Sequence, residues 1–165
     1  MLWRRENIEM IEIEIPGSAA LKLEHFVTDY SGTLSEDGTV MPGVREKLNE
    51  LAGRMKIHVL TSDTFGMARE ELRGISCTLH VLEGKGHTSQ KEKYVKDLGA
   101  DKVAALGNGN NDVLMLKAAG LGICVCLREG CSVRALEASQ IFVFSPLDAI
   151  DLFLSPKRLA ATLRV

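Results

Sequence analysis

Three short apolar runs in this 165-residue chain each break abruptly into small polar residues, and few folds accommodate that pattern. Residues 21–28 run into Asp29-Tyr30-Ser31-Gly32-Thr33-Leu34, and Lys56-Ile57-His58-Val59-Leu60 runs into Thr61-Ser62-Asp63. Lys102-Val103-Ala104-Ala105-Leu106 runs into Gly107-Asn108-Gly109-Asn110-Asn111-Asp112. Runs of this length read as strands, and helical spacing fills the intervals. Strands alternating with helices at this pitch predict an α/β fold with a doubly wound parallel sheet. In such a sheet the turns after the strands fall on one edge, where open α/β sheets hold ligands.

The remaining segments fit the same plan. Ile11, Ile13 and Ile15 alternate with Glu12 and Glu14, which predicts a half-exposed strand suited to a sheet edge and ending at Pro16-Gly17. Asp37-Gly38 marks a hairpin flap over 35–40. Helices are expected from Pro42 to near Gly53 and over 65–72, 90–98, 113–119 and 132–138, with two closing helices over 147–154 and 157–163. Further strands are expected over 77–82, 121–127 and 141–144. With no repeat, low-complexity tract or linker, residues 1–165 read as one domain.

A formal charge of -2 and a pI near 6.1 offer no electrostatic reason for binding nucleic acid or an anionic membrane. No apolar run approaches the roughly 18 residues that span a bilayer. Glu6, Asn7, Glu9 and Glu12 interrupt the start, so no signal peptide is expected and the location is read as cytoplasmic. Cys77, Cys124, Cys126 and Cys131 fit no standard zinc spacing and are read as reduced thiols packing as small hydrophobes. His25 and His58 fall within strand patterns, where a hydrogen-bonded histidine is expected, and His87 falls in a glycine-rich loop near Lys91.

The polar turns bring together a carboxylate, hydroxyls and a second acidic segment, and Lys91 at the start of the preceding helix adds an ammonium. That set suits a phosphate beside a divalent cation: oxygens serve magnesium, while hydroxyl, amide and ammonium donors serve phosphoryl oxygens. Plainer roles stand beside these. An aspartate at a strand end is also a turn former or cap, Ser62 and Asp63 compete with Thr61 to cap the following helix, and Lys85 and Lys93 compete with Lys91.

On four motifs in order, the chain resembles the haloacid dehalogenase-like (HAD) superfamily of phosphotransferases. Asp29-Tyr30-Ser31-Gly32-Thr33 is similar to the first motif, Asp-x-Asp-x-Thr, with Ser31 in place of the second Asp. It is closer to the Asp-Lys-Thr-Gly-Thr of the P-type ATPases, which also place a hydroxyl there. Leu60-Thr61-Ser62-Asp63 is similar to Leu-Thr-Gly-Asp, and Lys91, with Val95 and Leu98 behind it, has the spacing of the third-motif lysine. Gly107 to Asp112 matches Gly-Asp-Gly-x-Asn-Asp, with Asn108 replacing the first Asp. The likeness runs from residue 21 to about 126.

The resemblance implies a Rossmann-like HAD core that lacks a cap domain and acts as a magnesium-dependent phosphoryl hydrolase. Asp29 would be the nucleophile that becomes an aspartyl phosphate, with Ser31 and Lys91 the other catalytic positions. Thr33, Thr61, Ser62, Lys91 and Asn111 would meet the phosphate. Asp29, the Ser31 carbonyl, Asn108 and Asp112 would hold Mg²⁺. The substrate would be a phosphorylated small molecule or a phosphoprotein, and an open site favours a homo-oligomer. Ser31 cannot supply general acid-base assistance, typically worth ~10²–10⁴-fold, so slow turnover is expected. The alternatives are a phosphate-binding regulatory module without turnover and a soluble ATP hydrolase akin to the P-type pumps.

Overall fold

Strand and helix alternate along the chain as the apolar pattern predicts, in a computed structural model that describes residues 10–64 and 66–165. A short ladder of β1 (Ile11–Ile13) and β2 (Leu21–Leu23) leads into β3 (His25–Asp29). The hairpin of β4 (Ser35–Glu36) and β5 (Thr39–Val40) follows, then α1 (Val44–Leu51), β6 (Lys56–Thr61), α2 (Met67–Glu71) and β7 (Thr78–Val81). The second half comprises α3 (His87–Asp97), β8 (Val103–Gly107), α4 (Val113–Ala118), β9 (Leu121–Val125) and α5 (Val133–Glu137). It closes with β10 (Ile141–Val143), α6 (Pro146–Leu154) and α7 (Pro156–Leu163).

Six strands pair in the order β10-β9-β8-β3-β6-β7, all parallel. Every residue of β3 is buried, because both neighbours and both sheet faces cover it. From β3 the chain winds outward through β6 and β7, then returns to β8 on the opposite side. The connections therefore diverge above the carboxyl end of β3, and Asp29 stands in the resulting crevice.

Alternation along the strands divides the interior into two cores. Phe26 joins the face covered by α1, α6 and α7, where it meets Phe153 edge-on with ring centroids 5.6 Å apart. Full burial of such a ring contributes about 1.5–3 kcal/mol. Val27, Leu60 and Ala105 face the other way, onto Val95 of α3, Met115 and Leu116 of α4 and Ala135 of α5. The second core seats α3 and α4 against each other, and so sets where Lys91 and Asp112 project.

Small departures from the sequence reading have local causes. Residues 21–28 divide at Glu24, whose N–H donates to the Lys102 carbonyl while its own carbonyl accepts from the Lys56 N–H. The chain changes partners at that point, so β1 pairs antiparallel with β2 rather than lying at an edge of the main sheet. Helix α3 begins at His87 instead of Gln90, after Gly86 in a left-handed conformation (φ 78°). Gln90 folds back onto the loop, its amide donating to the carbonyls of Glu83 and Lys85. Of the helix expected over 65–72, Phe65 lies outside the described residues, as do residues 1–9 and the reading of the N-terminus.

Between β3 and β6 the chain holds only the hairpin and α1, and between β6 and α3 the described residues hold only α2 and β7. Among the described residues no cap domain is inserted at either point. Among the described residues no helix is long and apolar enough to cross a membrane. Close approach of β9 to α4 requires a glycine: a Cβ on Gly122 would lie 2.6 Å from the Leu116 carbonyl oxygen. Gly122→Ala should therefore lower stability by about 1–3 kcal/mol in urea titrations, the usual cost of overpacking.

Candidate active site

Asp29 ends β3 with its side chain nearly buried, and the residues after it fold around a single carbonyl. The Tyr30 carbonyl accepts from the N–H groups of Thr33, Leu34 and Ser35 and from the Ser35 hydroxyl. Gly32, at φ 71°, allows the chain to reverse there. The Tyr30 hydroxyl donates to the Gly38 carbonyl at 2.6 Å, pinning the β4–β5 hairpin to the same turn. Asp29 is thereby held on a rigid element with Ser31 exposed beside it.

Lys91 enters from the second turn of α3 and is almost fully buried, at 1% exposure. Its Nζ donates to Asp29 Oδ1 and to Asp112 Oδ1, each at 2.8 Å. Burial alone would lower the pKa of this ammonium, but the two carboxylates outweigh it and the net direction is upward. Asp29 also moves upward. Burial, followed by the charge of Asp112, pushes it up to about 6 in spite of Lys91. The site thus holds more negative charge than its own lysine offsets.

Thr33 is buried, its hydroxyl 3.4 Å from Asp29 Oδ2 and 3.2 Å from Asn108 Oδ1. Asn108 donates through Nδ2 to the Gly130 carbonyl. Asp112 is fully buried: its Oδ2 accepts from the N–H groups of Asn108 and Gly109, and its Oδ1 from Lys91. Both oxygens of Asp112 are therefore engaged within the protein.

A pocket of about 240 Å³ opens over these groups. Asp29, Ser31, Thr61, Ser62, Lys91, Asn108 and Asn111 line it, so the structure brings seven of the expected positions to one cavity. Thr33 and Asp112 do not line it and instead hold groups that do. Asp63 has a different task. It takes a left-handed conformation (φ 41°) and caps α2, its carboxylate accepting from the N–H groups of Ala68 and Arg69. Thr61 is left facing the pocket.

Leu82, Gly109 and two further titratable residues, His87 and Glu129, complete the lining. His87 stands one helical turn before Lys91, and its Nε2 is shielded from water without a hydrogen-bond partner. Glu129, in the turn after β9, went unnoticed in the sequence; its signal was the β9 strand end, which a parallel sheet brings to the same edge. His25 and His58 are hydrogen-bonded to each other at 3.0 Å, and His58 to the Tyr94 hydroxyl, within the fold as expected. The four cysteines are free thiols.

Among the described residues no three carboxylates, imidazoles or thiols form a ready-made metal cluster. The donors facing the pocket are the hard oxygens of Asp29, Ser31, Asn108 and Glu129, and the excess negative charge is of the sign a cation relieves. That chemistry fits magnesium better than a soft metal.

Comparison with known proteins identifies the family and the fold. The family model for haloacid dehalogenase-like hydrolases matches residues 1–120. An uncharacterized protein of Methanocaldococcus jannaschii is 47% identical over 73 residues, which cover 44% of this chain and 78% of that protein. Among solved structures, the 3-deoxy-D-manno-octulosonate 8-phosphate phosphatase of Moraxella catarrhalis, in complex with magnesium, phosphate and KDO, superposes with a TM-score of 0.66. It is 18% identical, over 86% of this chain and 94% of its own. The cobalt-bound deoxy-D-mannose-octulosonate 8-phosphate phosphatase of Haemophilus influenzae gives 0.65 at 14% identity, over 87% and 94%. At such identities the likeness is one of fold.

Proposed function

Because this chain belongs to the haloacid dehalogenase-like hydrolases, we propose that it removes phosphate from a monoester through an aspartyl phosphate on Asp29. The supporting observation is Asp29 itself: a carboxylate at the floor of an open pocket, oriented by a buried lysine 2.8 Å away. Asp29 attacks phosphorus, a carboxylate oxygen–phosphorus bond forms, and the bond to the leaving oxygen breaks. Water then attacks the acyl phosphate and restores the carboxylate. Lys91 and the Thr61 hydroxyl offset charge on the phosphoryl oxygens, with Ser62 and Asn111 at the rim. Thr33 and Asp112 act from behind, the first orienting Asp29 and the second Lys91.

Magnesium would be held by Asp29, the Ser31 carbonyl and Asn108, and when bound it supplies further positive charge against the phosphoryl oxygens. Asp112 contributes indirectly, since its oxygens already serve Lys91 and the 108–109 backbone. The substrate is a phosphorylated small molecule or a phosphoprotein side chain, which the capless, open site can admit. Residues 1–165 act as one domain in this reading.

Ser31 sets the speed. A hydroxyl there neither protonates the leaving group nor activates water, so the phosphoenzyme both forms and breaks down slowly. Ser31→Asp should raise magnesium-dependent turnover of an alkyl phosphate by roughly 10²–10⁴-fold. An unchanged rate would overturn this account of residue 31, and a wild-type protein that binds phosphate without any turnover would favour the regulatory module.

A further inference from the structure

We propose that Glu129 supplies the cation site with the carboxylate that Asn108 does not. The inference rests on the cation-assisted reading above. It starts from a turn that the motifs do not include. After β9 the chain reverses through a tight turn closed by the Gly130 N–H donating to the Leu127 carbonyl at 2.9 Å. Asn108 grips this turn from both sides: its Nδ2 donates to the Gly130 carbonyl, and its own carbonyl accepts from the Ser132 N–H at 2.8 Å. On the other flank Arg128 reaches Glu36 of the hairpin at 3.5 Å. The turn is therefore fastened to the loops that carry residues 31 and 108.

Glu129 extends from that turn across Gly32. The point where a Gly32 Cβ would stand is 2.4 Å from Glu129 Oε2 and 2.8 Å from Asn108 Nδ2. One small volume beside Gly32 is thus shared by the Glu129 carboxylate and the Asn108 amide, and the left-handed φ of 71° favours glycine there. No ion pair neutralises Glu129 among the described residues: Arg128 turns to Glu36, and Lys91 is held by Asp29 and Asp112. Asp29 and Asp112 already share the one ammonium of Lys91, so the Glu129 carboxylate adds negative charge at the pocket that a divalent cation offsets. Asn108 occupies the position where the motif it resembles has an aspartate, so the charge missing there is returned by a residue about twenty positions later. A glutamate serves because it reaches from a neighbouring loop, and Glu129 is exposed enough that replacing it does not disturb a core.

Titration of the full chain with Mn²⁺, followed by calorimetry and by the electron paramagnetic resonance of the bound ion, tests this without recourse to activity. Wild type should bind one ion, and Glu129→Gln should bind it roughly 10–100-fold more weakly, the range for losing a supporting ligand. Adding Asn108→Asp to Glu129→Gln should recover most of the affinity. Equal affinity in wild type and Glu129→Gln overturns the inference while leaving the phosphatase reading intact, and failure of the double variant to recover overturns the exchange of roles. Absence of Mn²⁺ binding in wild type overturns the cation reading together with it.

Discussion

Asp29→Asn should abolish covalent labelling by a phosphoryl donor and lower phosphate release by on the order of 10⁴–10⁶-fold, the scale of loss when an enzyme's nucleophile is removed. The fold should survive, because Asn keeps the shape of the side chain and Lys91 retains Asp112. Acid-stable labelling that persists in the variant places the nucleophile elsewhere. In wild type, turnover should rise with pH as Asp29 ionises, since attack requires the carboxylate and burial and Asp112 push its pKa up in the metal-free site.

The same substitution has a signature in stability, measured on metal-free protein. The folded pKa of Asp29 lies above its ordinary 3.8. Its contribution to stability is therefore fully present below that value and is lost as pH rises through about 6. His25 and His58 act in the opposite sense: burial lowers both, His58 to about 4, so the unfolded chain takes up their protons first and acid weakens the fold. Removing Asp29 leaves the histidines unopposed. Between pH 6 and 4 the variant should lose stability more steeply than wild type, by up to about 1.4 kcal/mol per pH unit for one proton. Parallel curves would show that Asp29 has an ordinary pKa.

Lys91→Met should be the most destabilising single change at the site, costing about 3–5 kcal/mol at neutral pH in denaturant titrations. Methionine fills the space, so the loss is electrostatic: Asp29 and Asp112 are left buried with no positive charge between them. Asp112 retains two backbone donors, whereas Asp29 keeps the Tyr30 backbone and the weak contact from Thr33 at 3.4 Å. The deficit should shrink on acidification from pH 7 to 5, as the orphaned carboxylates take up protons that the lysine had kept off. A cavity or packing defect has no such dependence, so a deficit independent of pH would count against this reading. Turnover in Lys91→Met should be lost even where the variant is folded, as Lys91 also lines the pocket.

Much of the fold was legible because its signals are local. Ile57, Val59 and Leu60 between Lys56 and Thr61 announce a strand by composition and punctuation, and the turn at Thr61 to Asp63 follows from the polar residues themselves. Parallel order follows from alternation with helices, and convergence of the strand ends follows from parallel order. Asp29, Thr61, Lys91 and Asn108 could therefore be assigned to one site before any coordinate was known, and the cavity contains all four.

Contacts between segments that no period connects were not legible. Nothing in Asp63 distinguishes a phosphate ligand from a helix cap until α2 is seen to begin on its carboxylate. Nothing in Asp112 says that both oxygens are occupied, because their partners come from α3 and from the backbone of its own turn. Glu129 was invisible because its importance lies in the distance to Gly32, nearly a hundred residues earlier. By itself the sequence determined an α/β sheet with Asp29 at a strand end, since propensity, alternation and turn chemistry act over a few residues. The tertiary structure alone decided which carboxylates face the pocket and which stand behind it. That division depends on burial and charge, and both are set by whatever the rest of the chain packs alongside.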